Sequence, residues 1–113
     1  MSDAKMPKPP KAYDEFRRKY PKLGEAWDKI GEAGESGPLD ERQVRLVKLG
    51  VAIGAMREGA IHSGVRKALA VGLSVEEIRQ VVALAAGTVG MPSTVAIDTW
   101  VESELGKAGR RSG

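Results

Sequence analysis

The residues best suited to chemistry in this chain lie within one short segment, Arg57-Glu58-Gly-Ala-Ile-His62-Ser63-Gly-Val-Arg66. Glu58 and His62 are four positions apart, so on a continuous helix their side chains meet. A carboxylate beside an imidazole orients one ring nitrogen and stabilises the imidazolium, a common way of setting up a general base. Arg45, Arg57 and Arg66 are the cations that could clamp a substrate carboxylate, and Trp100 is a candidate pocket wall. The same spacing also describes an ordinary salt bridge on a helix surface, and Gly59 between the pair weakens the helix. A nucleophilic reading of Ser63 fails, because adjacent residues do not face each other on a helix.

Composition excludes several classes of chemistry. The 113 residues contain no cysteine, so thiolate nucleophiles, disulfide exchange and zinc–thiolate or iron–sulfur sites are ruled out within them. With one histidine and no loop of spaced carboxylates, no metal site is expected, and no cofactor motif stands out. GTVG at 87–90 lacks the preceding strand and the lysine of a phosphate loop.

The net charge of +3 is unevenly spread. Residues 1–29 hold eight Lys/Arg against five Asp/Glu, and Lys107, Arg110 and Arg111 are basic, so the segment between is mildly acidic. That argues against nucleic acid as a partner, which calls for clustered cations. The VEEIRQVVALAA segment would also make a poor recognition helix. No apolar run nears the ~20 residues of a membrane span and no signal-peptide pattern opens the chain, so a cytoplasmic protein with no membrane partner is expected.

The elements that must position these groups read as helices throughout. Residues 1–12, with Pro7, Pro9 and Pro10, suggest a flexible arm. A short helix is expected from Tyr13 to about Tyr20, then a turn or two carrying Leu23, Trp27 and Ile30, then a loop over 31–38. Asp40 caps a helix whose Val44, Val47, Val51 and Ala55 form an apolar stripe, for core or subunit contact, widened by Leu46, Leu49 and Ile53. After a break near Arg57–Gly59, Ile61, Val65, Ala68 and Leu69 give the next apolar face, ending at Gly72. Ser74 and Glu77 form a capping box opening a helix with Ile78, Val81, Val82, Ala85 and Ala86. Pro92 begins a last helix through Val95, Ile97, Trp100, Val101 and Leu105. Residues 106–113 are expected to be a disordered basic tail. The fold class is all-α.

LDERQVRLVKLGVAIG followed by REGAIHSGVRKALAVGLSVEEIRQVVALAAGTVGMPSTVAIDTW resembles the helical repeat of the carboxymuconolactone decarboxylase family, within the alkylhydroperoxidase D-like superfamily. The lead-in FRRKYPKLGEAWDKI is also similar, so the resemblance spans residues 13–105. It implies an alkylhydroperoxidase D-like helical bundle whose helices pack across subunits in a homo-oligomer, a trimer or hexamer. It also implies cofactor-free acid/base decarboxylation or lactone chemistry on a small carboxylated substrate. The alternative is a non-catalytic oligomeric scaffold or small-ligand binder. On this resemblance the redox cysteine pair falls on Arg57 and Ala60 and the accompanying histidine on Gly64, which leaves no thiol peroxidase. His62, two positions earlier, is turned by roughly 200° and does not inherit that role.

Overall fold

The computed structural model describes residues 11–112, with side chains through Arg110, and the proline arm before Lys11 lies outside them. Six helices follow one another: α1 (Lys11–Lys19), α2 (Pro21–Glu35), α3 (Glu41–Gly54), α4 (Glu58–Ala70), α5 (Val75–Val89) and α6 (Met91–Ser112). Among the described residues there is no strand, as the periodicity implied. No helix there is long and apolar enough to cross a membrane.

The helix boundaries follow local chemistry. The Asp40 carboxylate accepts from the Gln43 amide while the Gln43 side chain accepts from the Asp40 amide, and Ser74 and Glu77 close the same reciprocal box on α5. α4 ends where Gly72 takes φ +89°, a left-handed turn open to glycine at little cost. Between α3 and α4 the chain reverses through Met56 at φ +56°, the break expected near Arg57. Arg42 of α3 then ties down the turn between α4 and α5 and the start of α5: it donates to the Gly72 carbonyl at 2.8 Å and to both Glu77 oxygens at 3.1 and 2.9 Å.

Helices α3 to α6 form a closed ring of neighbours, α4 packing on α3 and α6, and α5 packing on the same two. Leu49 and Ile53 of α3, Ile61 and Val65 of α4, Ile78 of α5, and Ile97 and Val101 of α6 meet inside with no solvent exposure. Each such side chain contributes about 1.5–3 kcal/mol through burial.

Three expectations are corrected. α2 runs four turns to Glu35, through Gly31 and Gly34, because Pro21 starts a helix at its first position rather than merely ending one; the loop shrinks to residues 36–40. The buried stripe of α3 is Arg45, Leu49, Ala52 and Ile53, whereas Val47 and Val51 are exposed. A helix apolar on most sides gives periodicity no single face to choose. Finally, α6 continues to Ser112 instead of giving way to a disordered tail. Its extension is supported by Lys107 beside Glu104 one turn back, and by Arg110, whose Nη1 reaches over Gly106.

Candidate functional site

Glu58, His62 and Arg66 recur every four residues and line one stripe of α4, facing α6. From α6 comes a residue not singled out in the sequence, Glu104, which is only 2% exposed. A carboxylate in such surroundings is tolerable only when well paired. One oxygen, Oε1, gathers the partners: His62 Nδ1 at 2.9 Å, Arg66 Nη1 at 3.2 Å and Lys107 Nζ at 3.9 Å. Because the carboxylate accepts, Nδ1 is the donor and the exchangeable position of the ring is Nε2. Nε2 lies 3.5 Å from Glu58 Oε2, a separation longer than a good hydrogen bond. The side chain of His62 is 20% exposed, so the ring is held from within yet reachable from outside.

The expected Glu58–His62 pair is thus formed, but its anchor is Glu104. The signal was present in the last helix, where Ile97, Val101 and Leu105 mark a buried face and Glu104 is the acid set among them. Lys107, the other addition, sits one turn further on.

The remaining candidates are dispersed. Arg66 joins the cluster through Nη1, its one hydrogen bond among the described residues. Arg45 is buried and donates to Glu35 at 3.1 Å, on the side of α3 that faces α2. Arg57 is the exposed residue before α4 and forms no ion pair among the described residues. Trp100 is half-buried against the core. Among the described residues no cluster of His, Cys, Asp or Glu is arranged to hold a metal ion.

Gly64, where the resemblance places a histidine, is closed off. A Cβ there would lie 3.2 Å from Leu49 Cδ1, so the helices meet where that side chain would stand. Two other concavities flank the bundle. One is an apolar groove between α3 and α5 lined by Leu46, Val47, Gly50, Val81, Leu84 and Ala85. The other is a cavity of about 1100 Å³ between α2, α3 and α4.

A ring of four helices carries a histidine held by a buried carboxylate, and the 113 residues hold no cysteine for thiol chemistry. The model of the carboxymuconolactone decarboxylase family matches residues 21–103, more than half of the chain, and the protein belongs to that family. No curated protein and no solved structure matches the chain.

Proposed function

We propose that the protein is a cofactor-free acid/base catalyst of the carboxymuconolactone decarboxylase type, acting on a small carboxylated lactone or related acid. The observation that carries this reading is the 2.9 Å contact from His62 Nδ1 to buried Glu104. Glu104 is the positioning residue: it fixes the ring so that Nε2 faces outward. Nε2 takes a proton from carbon or oxygen next to a carbonyl, and Glu58 is placed to share it. Arg66, with donors left over among the described residues, holds the substrate carboxylate; Arg57, which forms no ion pair among the described residues, stands at the start of the same helix as a second cation. Loss of CO2 and opening of a lactone ring both need such a base and such a clamp.

The test is turnover of carboxylated lactones followed by NMR. His62→Gln should lower kcat/KM by roughly 10²–10⁴-fold. Glu104→Gln should lower it less and change the tautomer seen in the imidazole 15N shifts, which a merely structural role would not do. No turnover across a broad set of lactones would end the catalytic reading.

A second reading is favoured by the filled position at Gly64: an oligomeric scaffold or ligand binder that kept the bundle without the family's reactive groups. In either case we propose a homo-oligomer, a trimer or hexamer, housed in the cytoplasm. Val51 at 66% and Leu84 at 71% exposure flank the α3–α5 groove, which suits burial against another copy. Sedimentation of a monomer at micromolar concentration would refute that assembly.

A further inference from the structure

Lys67 projects from α4 about 140° around the helix from His62, on the side away from the Glu104 cluster. It lines the cavity between α2, α3 and α4, whose apolar wall includes Trp27, Ile30, Leu39, Val44 and Val47. The charged residues around this cavity have nearly all found partners. Both Asp28 oxygens are held by Arg17 at 2.8 and 2.6 Å. Glu32 lies 3.8 Å from Lys29, and Glu35 takes Arg45 at 3.1 Å and Lys48 at 3.9 Å through one oxygen. Lys67 is the exception: it feels Glu35 at longer range but forms no hydrogen bond or ion pair among the described residues.

We infer that this cavity is a binding site for an amphipathic monocarboxylate, with the hydrocarbon or aromatic body against Trp27, Ile30 and Val47 and the carboxylate between Lys67 and Lys48. The site goes beyond the proposed catalysis, since it uses none of the residues of the His62 cluster. Two features give it its chemistry. The wall is apolar enough to favour a hydrocarbon body, and a volume near 1100 Å³ is on the scale of pockets for small organic ligands. Around the carboxylate position, Arg45, Lys48 and Lys67 face Glu35, whose Oε2 already takes the first two. Burial pushes the Lys67 amine below the usual lysine range, and Arg45 and Lys48 push it further, while Glu35 pulls back part of the way. An incoming carboxylate relieves both effects, whereas a cation or a neutral body of the same length relieves neither.

The two tryptophans supply the readout. Full-length protein labelled with 5-fluorotryptophan gives two 19F signals, assigned through Trp100→Phe, and the Trp27 signal reports on the cavity. Sodium octanoate should shift the Trp27 signal saturably and leave Trp100 in place. 1-Octanol should bind at least roughly tenfold more weakly, the scale of one charge-assisted hydrogen bond. Lys67→Gln should raise the octanoate Kd by a similar factor, while Lys67→Arg, which keeps the charge and guards against a folding artefact, should stay within about threefold. Equal binding of octanol and octanoate, an unchanged Kd in Lys67→Gln, or no saturable shift at Trp27 would each overturn the proposal. A Trp27 shift that follows protein dilution without ligand would also overturn it, by showing that a second copy fills the cavity.

Discussion

The two sides of α4 treat charge in opposite ways. Toward α6, the buried Glu104 collects His62, Arg66 and Lys107 around one oxygen, and no buried side-chain polar atom among the described residues lacks a partner. Toward α2, the half-buried amine of Lys67 has Arg45 and Lys48 nearby, offset only in part by Glu35, and forms no ion pair among the described residues. A charge completed within the chain is part of the fold's stability. A charge left incomplete detracts from stability until something else completes it. The contrast separates what this bundle needs in order to stand from what it holds ready.

The strongest way to break the comparison is on the α6 side. Glu104→Ala leaves three donors without their shared acceptor and should destabilise the protein by about 3 kcal/mol, measured by urea unfolding. Next in size is Gly64→Ala: its new methyl would meet Leu49 at 3.2 Å, and overpacking of this kind costs about 1–2 kcal/mol. Ser74→Ala removes the capping oxygen of α5 and should cost about 1 kcal/mol, visible as a lower Tm. A pH effect comes next. Hydrogen bonds from Ser74, backbone then side chain, and the Arg42 cation hold the Glu77 carboxyl below its usual range. Its folded value is depressed, so its contribution is present above the ordinary glutamate pKa and is lost as pH falls through the folded one. Thermal melts should therefore drop on acidification, with a shallower slope in Glu77→Gln.

The smallest effect has the opposite sign. Lys67→Gln should slightly raise Tm at neutral pH while weakening octanoate binding roughly tenfold. In the wild type, the lowered amine pKa means the unfolded chain holds this proton more tightly, so stability should rise with pH between the folded and ordinary lysine values. Lys67→Gln should remove that rise. A destabilised Lys67→Gln would show that the two sides of α4 do not differ as described.

Much of this architecture was legible in the sequence, and the reason is local. Asp40 with Gln43, Ser74 with Glu77, and Gly72 each act within one turn, so their meaning does not depend on what lies across the bundle. The length of α2 was not legible, because Gly31 and Gly34 read as breakers whereas a helix begun at Pro21 carries through them. The Glu58–His62 pair came from spacing alone. Its anchor, 42 residues away from His62, could not, since only the packing of α6 on α4 brings Glu104 to the ring. The separation of Arg45 from Arg66 depends likewise on which face of α3 turns inward.

The contact between Gly64 and Leu49 also couples any change at one of these positions to a change at the other. A bulky residue at 64 has no room while leucine stands at 49, but a smaller residue at 49 opens the space. Leu49→Ala alone empties a fully buried position at about 2–5 kcal/mol, and a bulky residue at 64 alone meets Leu49 at full size, so each change carries its cost without the other. An imidazole at 64 is accommodated only together with a smaller residue at 49, and the two positions are tied to each other by a single van der Waals contact.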